Sequence, residues 1–275
     1  MNRKSIVSTT MGLLGLVAFP GDTQAYALGS WAPRPGCATW VTQGSAYGSA
    51  GAYVYVAGCG TGPNQQLYSC LGSCNHSDPN EFWQHMPGLS AVQISAFDLG
   101  SIWARRSDGT VYRRTEQGGW SGPLTFGGGY ACASYIAAGD SGSVYTLGCE
   151  SSANKSIWKR LSNGTWLSLP GAAAQITTTN DGLPWVVSAA GVSYRWNGSG
   201  WAWLPGTTNQ LMTGASFVYM AKGINDGVVY RWENNSWHTH FPPPDLFHPI
   251  RLFTQQWAIS PSGAIFRWLN VLEGG

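Results

Sequence analysis

Tryptophan recurs along this chain at an interval that limits the folds it can adopt. The six members of the series lie 52, 37, 46, 35 and 36 residues apart: Trp31, Trp83, Trp120, Trp166, Trp201 and Trp237. In four of them a Pro-Gly pair begins four residues after the tryptophan. A repeat near 40 residues long is typical of folds built from copies of one small unit, because each unit buries its apolar face against the next.

Each unit contains short strands joined by tight turns. The β-prone runs 102–104 and 111–113 lie on either side of Asp108 and Gly109, and similar runs flank Gly191, residues 225–227 and Gly263. Glycine and asparagine tolerate the positive φ that such hairpin turns require. With the tryptophan strand included, each unit supplies about four strands, so we predict an all-β fold.

Six four-stranded units predict a six-bladed β-propeller, in which the blades stack radially. The last unit provides strands in residues 250–253, 256–259 and 264–268 but no tryptophan strand after them. The segment 30–36 carries Trp31 and a Pro-Gly pair without strands before it. We therefore predict that the last blade is closed by the N-terminal strand, which removes two exposed sheet edges.

The first residues have the features of an export signal. Arg3 and Lys4 precede an uncharged apolar stretch, 6–19, and the small residues Ala25 and Ala27 form a small-x-small motif with cleavage expected after Ala27. We predict a signal peptide over residues 1–27 and a single propeller domain over residues 28–275. An uncleaved anchor is the alternative, but the stretch is shorter than the roughly 20 residues that a membrane span needs. The mature protein is expected to be secreted and extracellular, or periplasmic in a bacterium, without a transmembrane segment.

The six cysteines are expected to be paired in an exported chain. Two pairs of segments repeat, since 37–41 matches 132–136 and 54–59 matches 144–149. If the segments of each pair form neighbouring antiparallel strands, the cysteines at their ends lie opposite each other. The predicted disulfides are Cys37 with Cys59, Cys132 with Cys149, and Cys70 with Cys74. A zinc site is the alternative, but the spacing does not match zinc fingers or ribbons.

Charge and motif content exclude several classes of function. Charged residues are 10% of the chain and the net charge is +2, so no field is strong enough to gather nucleic acid. The 13 Asp and Glu residues fall mostly in turns, and none are paired to flank a glycosidic bond. No nucleophile elbow, zinc-protease motif or phosphate loop is present. His238 and His240 share a strand face but lack a third ligand, so we predict no metal, no cofactor and no enzyme activity.

Two repeats share a longer motif. Trp-x-x-Leu-Pro-Gly begins at Trp166 and at Trp201, and residues 175–176 and 181–182 continue the first copy with Gln-Ile and Asp-Gly. Together with the aromatic-Arg strand that follows each glycine turn, these motifs make the chain resemble the tectonin repeat family over nearly all of its mature length. The resemblance implies a lectin that binds glycans on cell surfaces, with lipopolysaccharide-like or methylated sugars as suggested ligands.

Candidate ligand-binding residues lie on the strands that combine aromatics with arginine. Because side chains alternate along a strand, an arginine between two aromatics points to the opposite sheet face. The candidates are Arg113, Arg195, Trp196, Arg231, Trp232, Arg267 and Trp268, with Asp108 and Asp226 in the adjoining turns. The alternative is structural: the aromatics, including the six unit-starting tryptophans, pack between blades, the arginines cap strand ends and the aspartates form turns.

Two functions follow from these residues. Aromatic faces with neutral hydrogen-bonding groups suit sugars, because apolar sugar faces stack while their hydroxyls are oriented. Repetition of such sites gives avidity, so we expect a multivalent lectin. The alternative is a propeller scaffold that carries a protein partner on one face and does not respond to free sugars.

Overall fold

The computed structural model describes residues 29–44, 53–70, 83–97, 101–124, 132–179, 181–208, 210–213, 218–221, 229–241, 252–253 and 257–270. The predicted signal peptide lies outside these residues, as do Cys74 and Asp226. As predicted, the fold is all-β. Within the described residues, one 3-10 helix, Asp140–Gly142, accompanies the strands, and no helix has the length and apolarity needed to cross a membrane.

The described strands are short, with one exception at the N-terminus. In chain order they are β1 (Gly29–Gly44), β2 (Tyr53–Gly58), β3 (Gln65–Cys70), β4 (Gln84–Ala91), β5 (Gln93–Ala96), β6 (Ile102–Arg105), β7 (Val111–Arg114), β8 (Trp120–Leu124), β9 (Tyr135–Ala138), β10 (Val144–Leu147), β11 (Lys155–Arg160), β12 (Trp166–Ala173), β13 (Gln175–Thr178), β14 (Pro184–Val187), β15 (Val192–Trp196), β16 (Trp201–Thr207), β17 (Gln210–Thr213), β18 (Val218–Ala221), β19 (Val229–Glu233), β20 (Ser236–Phe241), β21 (Leu252–Phe253), β22 (Trp257–Ile259) and β23 (Ala264–Asn270). Glycine turns between aromatic and β-branched runs keep most of them short.

The strands form a β-propeller of antiparallel sheets. Four sheets have four strands each, which we call the β5–β8, β9–β12, β13–β16 and β17–β20 blades. The fifth sheet has seven strands in the order β21-β22-β23-β1-β2-β3-β4. Five blades are therefore present, and the prediction of six separate blades is wrong. The reason is that β1 continues without a break from one pairing to the next and so merges the last and first repeats into one sheet.

The long strand β1 closes the propeller by pairing at both of its ends. Its first part, from Gly29 to Cys37, pairs with β23, and its second part, from Ala38 to Gly44, pairs with β2. The register shifts after Arg34, next to Gly36 with its φ of 103°. The predicted pairing of the N-terminal strand with the last strands is confirmed, and it ties the start of the described chain to its end.

Apolar side chains fill the boundaries between successive groups of strands. Six clusters of buried residues lie among the described residues, and each draws on two neighbouring groups. Trp185 of β14, for example, packs with Leu211 and Met220 of the next blade. Tyr219 of β18 packs with Ala258 of β22, which completes the circuit. The core is thus a series of inter-blade layers rather than a single centre.

The tryptophans that begin the repeats lie on the outer strands and join consecutive units. Three of them donate their indole N–H to the proline carbonyl of the preceding Pro-Gly pair: Trp83 to Pro35 at 3.0 Å, Trp201 to Pro170 at 2.6 Å and Trp237 to Pro205 at 3.0 Å. The glycine after the proline has positive φ and lets the ring approach, since a β-carbon at Gly171 would lie 3.3 Å from the Trp201 indole nitrogen. The coupling of Trp to Pro-Gly in the sequence therefore has a packing origin.

Two of the three predicted disulfides are present. Cys37 is bonded to Cys59 and Cys132 to Cys149, with Cα atoms 5.4 and 5.6 Å apart. Cys70 is also disulfide-bonded, and its predicted partner Cys74 lies outside the described residues.

Each described disulfide lies against a hairpin glycine of the neighbouring repeat. A β-carbon at Gly109 would be 2.4 Å from the Cys132 sulfur, and one at Gly263 would be 2.6 Å from the Cys37 sulfur. Both glycines have positive φ, as their turns require. The disulfides therefore form part of the contact between repeats as well as a covalent link.

Candidate ligand-binding site

A pair of an aromatic ring and a cation recurs across the second and third strands of the repeats. The aromatic lies directly opposite the cation in five described pairs: Trp103 and Arg113, Tyr145 and Lys159, Trp185 and Arg195, Tyr219 and Arg231, Trp257 and Arg267. Four of these cations lie over the ring at 5.3 to 5.9 Å from its centroid. Such contacts stabilise a cation where water is partly excluded.

Arg195 belongs to the most exposed complete set of polar groups in these pairs. Its guanidinium lies 2.6 Å from a carboxylate oxygen of Asp181, and the two side chains are 39% and 36% exposed. Asp181 also accepts hydrogen bonds from the Thr179 hydroxyl and the Leu183 N–H. Burial by itself would raise the pKa of Asp181, but these hydrogen bonds together with Arg195 lower it. The result is a fixed donor and acceptor pair at the surface.

Arg231 has a similar but less exposed arrangement. It lies 2.5 Å from a carboxylate oxygen of Glu233, two residues further along β19. It also hydrogen-bonds Tyr219, whose pKa is raised mainly by burial. Arg267 is only 3% exposed and lies over Trp257, so it does not reach the surface.

The predicted aromatic candidates pack against other rings. Trp196 lies edge-on to Trp201 at 5.0 Å between centroids, and Trp232 lies edge-on to Trp237 at 5.0 Å. Alternation along β15 holds as predicted, since Tyr194 and Trp196 pack towards the β9–β12 blade while Arg195 covers Trp185 on the other face. The side chain of Trp268 lies outside the described residues.

Asp108 forms its turn. Its carboxylate accepts hydrogen bonds from the Thr110 N–H and hydroxyl at 3.0 and 2.6 Å, and it lies 3.8 Å from Arg106. The hydroxyl bond is the largest of the effects that lower the pKa of this carboxyl. Asp108 lies near Arg113 along the chain, but the described contacts of its carboxylate are made within its own turn.

A second arginine joins the Trp103 and Arg113 pair. Arg160, on β11 of the next blade, lies 5.3 Å from the Trp103 centroid, and Arg113 lies 5.9 Å from it. The pKa of Arg160 is lowered, first by burial and then by the charge of Arg113. Sequence reasoning did not select Arg160, because its position in the repeat holds tryptophan at 196 and 232.

Two large apolar side chains are exposed on outer strands. Trp203 on β16 is 61% exposed and Leu167 on β12 is 49% exposed. Trp203 lies opposite Tyr194 on the neighbouring strand and two residues after Trp201 on its own strand, so all three side chains lie on the same face of the sheet. The other repeats have Pro33, His85, Gly122, Ser168 or Thr239 at the position of Trp203, and none of these is a large apolar residue. That departure from the pattern is the sequence signal that would have found it.

The inner strands enclose a central cavity. It contains about 360 Å³ of empty space, including its open mouth, and Trp40 and Tyr135 meet edge-on at its wall. The polar groups of this wall bond to each other: Thr177 and Thr213 hydroxyls lie 3.0 Å apart, and Gln93 bonds both the N–H and the carbonyl of Ile136. These polar groups of the wall are therefore already engaged within the protein.

No group of three metal-ligating side chains occurs among the described residues. His238 lies 2.7 Å from the Ser236 hydroxyl, and the side chain of His240 lies outside the described part of the chain.

These features define the class of the protein as a β-propeller whose blade boundaries carry cation and aromatic pairs. Among solved structures it is similar to YCF48 bound to D1 peptide, with 16% identity and a TM-score of 0.52 over 85% of this chain and 78% of that chain. It is also similar to a structural genomics protein of unknown function from Bacteroides thetaiotaomicron, with 11% identity and a TM-score of 0.55 over 90% of this chain and 70% of that chain. At these identities the likeness shows the fold alone. No protein-family model matches the chain, and no curated protein is similar to it in sequence.

Proposed function

We propose that this protein is a secreted, multivalent lectin of the tectonin-repeat type, which binds surface glycans and has no catalytic activity. The observation that carries the proposal is the half-exposed pair of Arg195 and Asp181. A guanidinium and a carboxylate held 2.6 Å apart offer the donors and the acceptors that neighbouring sugar hydroxyls need. Related cation and aromatic pairs recur around the propeller, so weak sites on several blades would add in avidity.

The exposed ring of Trp203 supports the same proposal. An indole that is 61% exposed presents an apolar face on which a sugar ring stacks. The tectonin assignment is supported by the repeated Trp to Pro-Gly contact between outer strands. The two described disulfides suggest an oxidising compartment, which agrees with secretion. N-terminal sequencing of the exported protein tests the secretion step and is expected to begin at Leu28.

The test is binding of the mature protein to an array of bacterial, methylated and ordinary glycans, followed by calorimetry on the best ligand. Arg195→Gln and Asp181→Asn are each expected to weaken that ligand by about 10- to 100-fold, the range for loss of a hydrogen bond to a charged group. Arg106→Gln is the matched control, because Arg106 is 38% exposed and lies beside Asp108 in another turn. It is expected to leave affinity unchanged.

Two results would contradict the proposal. One is the absence of binding on the array and in calorimetry with free sugars. The other is glycan binding that Arg195→Gln and Arg106→Gln reduce equally, since the effect would then be one of net charge.

A protein scaffold is the second candidate, and the exposure of Trp203 and Leu167 favours it. Large exposed apolar side chains also mark surfaces for protein partners. YCF48, which shares the fold at low identity, is bound to D1 peptide in its structure. This candidate predicts a co-purifying protein that Trp203→Ser releases and that free sugars do not displace.

A further inference from the structure

Two turns of the propeller contain an exposed asparagine followed by a glycine. Asn163-Gly164 lies between β11 and β12, and Asn197-Gly198 lies between β15 and β16. Such an asparagine is reactive, because the backbone nitrogen of the next residue can attack the side-chain amide carbon. Glycine has no side chain to obstruct that attack. The two turns differ in whether the attacking nitrogen is available.

The attacking nitrogen is held in one turn and not in the other. The Gly164 N–H donates to the Leu161 carbonyl at 2.9 Å, and a β-carbon at Gly164 would lie 3.3 Å from the Arg160 guanidinium. The Gly198 N–H makes no hydrogen bond to any described residue, and a β-carbon there would meet nothing within 4 Å. The nitrogen that follows Asn197 therefore has no hydrogen bond to lose before it reacts.

The amide oxygen of Asn197 lies among three donors. Its Oδ1 accepts hydrogen bonds from the Ser199 N–H at 3.0 Å, the Ser199 hydroxyl at 3.1 Å and the Gly200 N–H at 2.8 Å. The Asn163 oxygen has two donors, both from Thr165. Negative charge develops on this oxygen when the amide carbon is attacked, and converging donors stabilise that charge. The donors and the unbonded glycine nitrogen both favour reaction at Asn197 over Asn163.

We propose that Asn197-Gly198 is a self-modification site, at which the protein converts its own asparagine to an acid with water as the only co-reactant. The Gly198 nitrogen loses its proton to solvent and forms a bond to the Asn197 amide carbon. The bond from that carbon to the amide nitrogen then breaks, and ammonia leaves with a proton taken from solvent. Water opens the resulting cyclic imide at either carbonyl, which gives aspartate or isoaspartate without oxidation or reduction.

The corresponding hairpin of the next blade shows where the new carboxylate would lie. Equal numbers of residues separate the opposed tryptophans in both hairpins, which aligns Asn197 with Glu233. Glu233 bonds Arg231, two residues before it, at 2.5 Å. Arg195 lies two residues before Asn197 in the same way, but its bond at 2.6 Å is to Asp181. A carboxylate at position 197 is therefore placed to compete with Asp181 for Arg195.

This competition would change the candidate ligand-binding pair. The guanidinium of Arg195 and the carboxylate of Asp181 offer a fixed donor and acceptor only while they face each other. A second carboxylate draws the guanidinium away and adds negative charge beside it, so glycan affinity should fall as Asn197 reacts. That consequence rests on the proposed function, whereas the reaction itself rests on the turn alone.

Peptide mapping by mass spectrometry tests the reaction. The folded protein with its disulfides intact is kept in mildly alkaline buffer, and conversion at Asn163 and Asn197 is followed in the same sample. Asn197 is expected to react about tenfold faster or more, because one bond on the nucleophile is absent and one more donor contacts the oxygen. In urea, where neither turn is folded, the two rates should become similar.

Two variants check which atoms are responsible. Gly198→Ala adds a side chain beside the attacking nitrogen, and Ser199→Ala removes one donor to the oxygen. Each should slow conversion at Asn197 and leave the rate at Asn163 unchanged. Equal rates at Asn163 and Asn197 in the folded protein would overturn the proposal, and so would a rate at Asn197 that neither variant changes.

The pairing of the product with Arg195 is tested without any sugar. Asn197→Asp introduces the product charge, and Asn163→Asp makes the same charge change in the neighbouring blade. The free energy of unfolding lost through Asp181→Asn should be smaller in Asn197→Asp than in the wild-type protein, because the new carboxylate keeps Arg195 paired. Asn163→Asp should not reduce that loss. Equal losses in all three backgrounds would contradict the pairing.

The outcomes separate this inference from the proposed function. Faster conversion at Asn197, with no glycan bound by any variant, supports the self-modification site and contradicts the lectin. Glycan binding that Asn197→Asp leaves unchanged agrees with the lectin and contradicts the effect of the reaction on the ligand-binding pair.

Discussion

Gly109 offers a direct test of how closely neighbouring blades are packed. Its φ is 83°, and a β-carbon added there would lie 2.4 Å from the Cys132 sulfur and 3.0 Å from the Cys149 sulfur. The Ala133 backbone nitrogen, which donates to the Gly109 carbonyl at 2.7 Å, would be 3.2 Å from the same β-carbon. None of these atoms is at the end of a flexible side chain. Gly109→Ala therefore has to move the turn away from the next blade.

The expected effect is the sum of two contributions. A non-glycine residue in the left-handed region costs about 1–2 kcal/mol. Overpacking of a filled contact adds about 1–3 kcal/mol. The free energy of unfolding should thus fall by about 2–5 kcal/mol, and at about 2–4 °C for each kcal/mol the melting temperature should fall by roughly 4–20 °C.

Gly198→Ala is the matched control for this substitution. Gly198 has a φ of 99°, and a β-carbon there would meet nothing within 4 Å. It should show only the backbone contribution, about 1–2 kcal/mol. Both variants are measured by urea unfolding and calorimetry with the disulfides intact. If Gly109→Ala is no less stable than Gly198→Ala, the sulfur contact does not limit the packing and the reasoning fails.

Three further predictions concern single contacts. Trp201→Phe keeps an aromatic ring but loses the 2.6 Å hydrogen bond to Pro170, so the free energy of unfolding measured in urea should fall by about 1 kcal/mol. The exposed Trp203→Phe is the control and should lose less than about 0.5 kcal/mol. Equal losses in the two variants would refute a role for the bond. Gln93→Leu removes the hydrogen-bond partners of the Ile136 N–H and carbonyl, so the free energy of unfolding should fall by about 1–3 kcal/mol for each group left unsatisfied. An unchanged thermal unfolding curve would contradict this prediction. Because the pKa of Asp181 is lowered in the folded protein, its carboxylate stabilises the fold above about pH 4, and this stabilisation is lost as the pH falls below that value. Asp181→Asn should therefore make the free energy of unfolding less dependent on pH in the acid range. An unchanged pH dependence would contradict this prediction.

Local signals predicted much of the fold. Turn glycines at 109, 191 and 263 and the runs between them gave the strands, because positive φ and β-propensity act within a few residues. The pairing of Cys37 with Cys59 followed from a repeated segment. The number of blades did not follow, since it depends on whether β1 breaks between its two partners. Nothing in the sequence near Cys37 distinguishes a break from the shift of register that the structure has.

The candidate site was predictable only in part. Arg113 and Arg195 were found because an aromatic-Arg strand is visible along the chain. Asp181 and Arg160 were missed because their relations to Arg195 and Trp103 are made across strands and across blades, where residues 14 and 57 positions apart meet. Such contacts are fixed by the stacking of the blades, which no local pattern reports.

Departures from the repeat are where ligand binding is best sought in this fold. A blade boundary needs an aromatic ring with a cover on each side, so a residue that matches the other repeats, such as Trp232, is explained by packing. Trp203 stands where the other repeats have a small or polar residue and adds exposed apolar surface, and Arg160 stands where Trp196 and Trp232 have a ring. Arg160 still covers Trp103, whereas most of the Trp203 ring lies outside the packing. Since breaks in local rules are expected at functional or strained sites, Trp203 has a stronger claim on a ligand than the repeated aromatics have.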